Sequence, residues 1–139
     1  MNAKPIVVLV DDNKADLELN RLTLMHTYSE LDIRQFLSGS QALEYLTQES
    51  IGGAWPSLMV LDLKMPGMNG FEVLERIMEQ QLKRFPIVVL SSSCLEEDKV
   101  RALQLGADKF VEKPIGLNEN IEMFRRVGNT YLNFVEKPL

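Results

Sequence analysis

Five side chains of this 139-residue chain carry chemistry that makes sense as a set. They are the carboxylates of Asp11, Asp12 and Asp62, the hydroxyl of Ser91 and the ammonium of Lys113. Three carboxylates brought together repel: a like-charge pair at 4 Å costs about 4 kcal/mol at an effective dielectric near 20. A cation has to offset that repulsion. Oxygen-only ligands favour a hard ion, and Mg²⁺ suits a few carboxylates completed by waters and a phosphate. A hydroxyl and an ammonium are groups that hold phosphoryl oxygens. One carboxylate can act as the nucleophile that accepts the phosphoryl group. The set reads as a centre for Mg²⁺-dependent formation of an aspartyl phosphate.

These residues are far apart in sequence, so the elements between them must bring them together. Continuous aliphatic runs occur at Ile6-Val7-Val8-Leu9-Val10, Leu58-Met59-Val60-Leu61 and Ile87-Val88-Val89-Leu90. Runs without polar alternation suit strands buried on both faces. Two weaker runs lie at 33–37 and at Phe110-Val111. Stretches with helical spacing separate them. Ala15, Leu19, Leu22 and Tyr28 form one stripe, with Leu17 and Leu24 a second. Ala42, Tyr45 and Leu46 follow, then the clean face of Phe71, Leu74, Ile77 and Met78. Val100 and Leu103 make the poorest face, ended by Gly106 as a C′ glycine; Ile121, Phe124, Val127 and Tyr131 make the last.

Strand followed by helix, five times over, predicts an α/β fold: a five-stranded parallel, doubly wound (βα)5 sheet of flavodoxin-like architecture. Five units are too few for an eight-fold barrel. The strands run into Asp11-Asp12, Asp62, Ser91 and Lys113-Pro114. In a parallel sheet those ends share one edge, where open α/β sheets bind ligands. Taken singly, an Asp after a strand reads as a turn or a helix cap, and the serines as a helix entry. Only the shared location turns four ordinary strand ends into one site.

Composition narrows the function. With 15 basic and 20 acidic residues the net charge is −5, which disfavours a nucleic-acid partner. One cysteine, Cys94, and one histidine, His26, exclude an internal disulfide, a multi-cysteine zinc site and a polyhistidine metal site. No apolar run reaches the roughly 18–20 residues a membrane span needs, and the first is too short for a signal peptide. A cytoplasmic, single-domain protein over 1–139 is expected, with a core at about 5–134 and a short tail at 135–139.

The motifs Val10-Asp11-Asp12-Asn13, Leu61-Asp62-Leu63-Lys64-Met65-Pro66-Gly67-Met68-Asn69-Gly70, Val89-Leu90-Ser91 and Gly106-Ala107-Asp108-Lys109-Phe110-Val111-Glu112-Lys113-Pro114 resemble, in this order, those of a response regulator receiver domain. The resemblance implies a phosphoacceptor at Asp62. It implies a Mg²⁺ site from Asp12, Asp62 and the backbone carbonyl of Lys64, with Asp11 holding waters. It further implies Ser91 and Lys113 as phosphoryl ligands, and a cis peptide between Lys113 and Pro114. Phe110 matches the aromatic switch position, where the family often has Tyr; Phe cannot donate a hydrogen bond. The implied phosphodonor is a sensor histidine kinase or a histidine phosphotransfer protein. The chain would then signal by docking to a downstream protein, as a stand-alone receiver or a relay intermediate. Monomer and phosphorylation-driven dimer both stay open.

Three rivals are weaker. A haloacid-dehalogenase-type hydrolase places a second Asp two residues after its nucleophile, where this chain has Lys64. A receiver that is never phosphorylated would lack an acidic or lysine position, and none is lacking. A flavin-phosphate site would be repelled by Asp11-Asp12. Among the remaining residues, Cys94 is expected as a small buried hydrophobe and His26 as a capping or surface residue. Trp55 is expected to pack over the sheet edge, Asn69 to cap a helix and Arg125-Arg126 to form a solvated face.

Overall fold

The computed structural model describes residues 4–131, apart from the side chains at 49–51. The 135–139 tail lies outside the described residues. The chain runs β1 (Ile6–Val10), α1 (Lys14–Thr27), β2 (Asp32–Phe36), α2 (Gly39–Gly52), β3 (Leu58–Asp62), α3 (Gly70–Glu79), β4 (Ile87–Ser91), α4 (Glu96–Gln104), β5 (Lys109–Glu112) and α5 (Leu117–Tyr131). All strand pairs are parallel and the sheet order is β2-β1-β3-β4-β5. The expected doubly wound sheet is therefore the observed one.

The aliphatic runs form the three central strands, and β3 and β4 are buried along their whole length. Alternate residues point to opposite faces and feed two cores. Val8, Val10, Met59, Leu61 and Val89 pack with Ala42, Leu46, Val73, Leu74 and Ile77 beneath α2 and α3. Val7, Leu9, Val60, Val88 and Leu90 pack with Leu17, Leu24, Phe124 and Val127 beneath α1 and α5. The edge strands β2 and β5 are only half-buried, which is why their runs are weak in sequence.

Helix ends follow local chemistry. Asn13 caps α1 by accepting from the N–H groups of Ala15 and Asp16 at 2.9 and 3.1 Å. Asn69 caps α3 in a reciprocal box with Glu72, as expected from the sequence. Gly106, at φ +108°, ends α4: its N–H donates to Leu103, and that of Ala107 donates to Ala102.

Some expectations need correction. The buried face of α1 is Leu17, Asn20, Thr23, Leu24 and Thr27, while Leu19 and Leu22 face solvent. The reason is a buried polar seam against α5. Asn120 Nδ2 donates to Thr23 Oγ1 at 2.8 Å and to Asn20 Oδ1 at 3.3 Å, so these polar side chains are satisfied inside. Cys94 is exposed, because the β4–α4 loop carries it outside the cores. The Lys113–Pro114 bond is trans, the isomer that X–Pro bonds also favour. Trp55 does pack as expected, against Phe85 with the Arg84 guanidinium over its ring.

Candidate functional site

Strand order reverses between β1 and β3, and the carboxyl ends of those strands flank the crevice that results. Ladder hydrogen bonds carry the backbone into the site on both sides. Asp11 N–H donates to Phe36 O at 3.1 Å and Lys113 N–H to Ser91 O at 2.8 Å. Asp62 is the last residue of β3, opposite Leu90 of β4. The loop after Asp62 folds back tightly: Gly70 N–H donates to Leu63 O at 2.9 Å. A Cβ on Gly70 would come 2.5 Å from Asp62 O, so only glycine fits there.

The three aspartates meet. One carboxylate oxygen each from Asp11, Asp12 and Asp62 lie within 4.8 Å of one another. Asp11 and Asp62 are 4% and 6% exposed, whereas Asp12 is open to solvent. Asn13 N–H donates to Asp11 Oδ1 at 2.9 Å and fixes that carboxylate. Lys113 Nζ reaches in from the end of β5, 3.0 Å from Asp11 Oδ2 and 3.6 Å from Asp62 Oδ1. The surrounding cavity, about 330 Å³, is lined by Asp11, Asp12, Asp16, Asp62, Lys64 and Lys113, with Asn13 and Ser92. A larger cavity of about 430 Å³ opens between β5 and α5, but none of the three aspartates lines it. The charged groups, not the volume, mark the site.

Ser91 is fully buried at the end of β4, and its Oγ accepts the Ser93 N–H at 3.0 Å. The serine that lines the cavity is its neighbour Ser92. Phe110 sits on β5 opposite Val89, half-buried against the α2–α3 side core. Two participants escape the sequence reading. Asp16 Oδ2 is 2.9 Å from Lys113 Nζ, a second hydrogen-bonding carboxylate for the lysine. An acid in the first turn of a helix is favoured there anyway, and that ordinary role hides the other. Ser92 is hidden inside a run of three serines.

Burial, then the Asp11 charge, push the Asp62 carboxyl up to about 6; Lys113 and the Lys64 N–H pull the other way. Burial works against the Lys113 ammonium, but the hydrogen bonds it donates to Asp16 and Asp11 outweigh it and hold its pKa above the ordinary value. The Asp62 shift has a consequence for stability without metal. Its folded pKa of about 6 lies above the ordinary 3.8. The folded state thus keeps a proton that the unfolded state releases, and stability falls as pH rises from about 4 to about 6. At about 1.4 kcal/mol per unit the loss is roughly 2–3 kcal/mol. In EDTA, Asp62→Asn is therefore expected to be more stable than wild type at pH 7, with the gain shrinking towards pH 4. Urea titrations at both pH values check this, and a gain that grows towards acid would contradict it.

The chemistry of the donor set fits a hard divalent cation: clustered carboxylates, all oxygen, with one side open. No helix among the described residues is long and apolar enough to cross a membrane.

Comparison with known proteins agrees with this geometry. The response regulator receiver domain family model matches residues 7–125. The response regulator Rcp1 of Synechocystis sp. is 30% identical over 140 residues, 99% of this chain and 95% of that protein. A hybrid signal transduction histidine kinase of Dictyostelium discoideum is 32% identical over 126 residues. That match covers 88% of this chain but spans only 7% of the kinase. Among solved structures, the phosphorylated cyanobacterial phytochrome response regulator RcpA superposes with a TM-score of 0.84 at 31% identity, covering 94% of this chain and 96% of that one. The Mn²⁺-bound form of Rcp1 gives 0.80 at 30% identity, with 97% and 99% covered. Fold, acidic crevice and matched motifs converge on one conclusion: the chain belongs to the response regulator receiver domains of two-component signalling.

Proposed function

We propose that Asp62 accepts a phosphoryl group from a phosphohistidine, on a sensor histidine kinase or a histidine phosphotransfer protein, in the cytoplasm. The observation that carries this reading is the convergence of two buried carboxylates, one exposed carboxylate and the Lys113 ammonium at the switch point of the sheet. In the transfer, an Asp62 carboxylate oxygen forms the bond to phosphorus. The phosphorus–nitrogen bond of the phosphoimidazole breaks, and its electron pair returns to the ring. Asp11, Asp12, Asp62 and the Lys64 backbone carbonyl are the ligands proposed for Mg²⁺, a reading supported by the Mn²⁺ bound in the Rcp1 structure. The bound cation would offset the carboxylate charge and withdraw charge from the phosphoryl oxygens. Lys113 and Ser91 are the proposed phosphoryl ligands, and slow hydrolysis returns Asp62 to its resting state. The test is incubation with acetyl phosphate. Mg²⁺-dependent, EDTA-blocked incorporation of a hydroxylamine-labile phosphoryl group is the expected result. No incorporation, or a hydroxylamine-stable ester, would overturn the reading.

The output surface proposed is the face of α4, β5 and α5, which would dock a downstream protein. Ser93 N–H donates to Ser91 Oγ, and Ser93 Oγ donates to Asp98 Oδ2 at 3.1 Å, so a hydrogen-bonded chain joins the end of β4 to the first turn of α4. Helix α4 buries only Ala102, while Val100 and Leu103 are exposed, so little packing resists its displacement. Phe110 lies on the neighbouring strand. With beryllofluoride as phosphoryl mimic, hydrogen exchange is expected to change most across residues 91–106 and around Phe110, and little in α1 and α2. A response confined to the α1 side would contradict this.

A further inference from the structure

Lys113 does not rest on Asp62. Its two hydrogen bonds go to Asp16 Oδ2 at 2.9 Å and Asp11 Oδ2 at 3.0 Å, while Asp62 Oδ1 at 3.6 Å is beyond hydrogen-bond reach. Both acceptors stand on the β1–α1 side of the crevice. Asp16 is well held there, since its own N–H donates to the capping Asn13 Oδ1 at 3.1 Å. The helix that follows Lys113 is tied to the same body: α5 meets α1 through the Asn120–Thr23 hydrogen bond and through Tyr28, whose hydroxyl donates to Phe124 O at 3.0 Å. A cavity of about 30 Å³, lined by Asp16, Asn20, Lys113 and Asn120, lies beside the pair. Asp16 lines the same cavity without being one of the three clustered carboxylates, and its direct contact with the site's charged groups is the Lys113 ammonium.

We infer that Asp16 is a positioning residue, a resting-state anchor that holds the Lys113 ammonium towards α1 and competes with a phosphoryl group on Asp62 for it. The inference rests on the phosphoacceptor reading above and adds a regulatory device to it. On this inference a phosphoryl oxygen on Asp62 draws Lys113 away from Asp16, so the ion pair opposes the activated state. The Asp16 side chain is about one-third exposed, which limits the pair to the strength of a partly solvated ion pair. Removing the charge is expected to tighten binding of the phosphoryl mimic about two- to fivefold.

The experiment is an NMR titration of the full chain with beryllofluoride at saturating Mg²⁺, comparing wild type with Asp16→Asn, Asp16→Ser and Asp16→Glu. The Asn and Ser variants should bind two- to fivefold more tightly than wild type, and the Glu variant should return towards wild type because it keeps the charge. A merely structural role would lower the melting temperature without tightening binding, and that result would overturn the inference. So would equal or weaker binding by both neutral variants. If wild type itself ignored beryllofluoride, the phosphoacceptor reading would fall first, and the anchor with it.

Discussion

Asp62→Asn is expected to take up no phosphate from acetyl phosphate and Mg²⁺, against full incorporation by wild type. The amide has nearly the shape of the carboxylate, so packing around a 6%-exposed side chain is preserved and only the nucleophile is removed. The effect should therefore be a loss of function in a folded protein. Neither of its clustered neighbours stands in the same position: Asp11 has one oxygen held by Asn13 N–H and the other by Lys113, and Asp12 lies in solvent. Incorporation is read from intact mass, and folding from the denaturation midpoint in the same samples. Unchanged incorporation in the mutant would remove Asp62 from its role.

The second large effect is on stability. A ligand that binds only the folded chain stabilises it by mass action, about 2.7 kcal/mol at one hundred times its dissociation constant. For a domain of this size that corresponds to a rise in melting temperature of roughly 10 °C. Wild type is expected to show it with Mg²⁺, since Asp11, Asp12 and Asp62 bring three carboxylates within 4.8 Å. Asp12→Ala should lose the response. In EDTA the same variant should melt slightly higher than wild type, because repulsion is relieved; for an exposed group this is worth about 1 kcal/mol. Differential scanning calorimetry with and without Mg²⁺ checks both statements, and a flat titration of wild type would contradict them.

What could be read from the sequence follows burial. β1, β3 and β4 announce themselves as aliphatic runs because the centre of a parallel sheet is covered on both faces, and the site is legible because those strands run into Asp11, Asp62 and Ser91. Recognising the edge strands is harder, since half their surface is solvated and their composition is mixed. Helix α1 misleads: its apolar residues Leu19 and Leu22 face water, while Asn20, Thr23 and Thr27 are inside. That inversion depends on Asn120, a partner one hundred residues from Asn20, which no local pattern contains. The pairing of Asp16 with Lys113 is illegible for the same reason. The serines at 91–93 show a further limit. Composition places a hydroxyl at the strand end, but backbone geometry decides that Ser91 is buried and Ser92 lines the crevice. The sequence marks Lys113 only as a phosphoryl ligand, whereas in the structure its ion pairs with Asp11 and Asp16 offset carboxylate charge.

The most direct test of the account is to phosphorylate wild type with acetyl phosphate and Mg²⁺, then locate the added mass by peptide mapping. A single phosphoryl group on the peptide carrying Asp62 is the predicted result. A phosphoryl group on any other residue, with Asp62 unmodified, would contradict it.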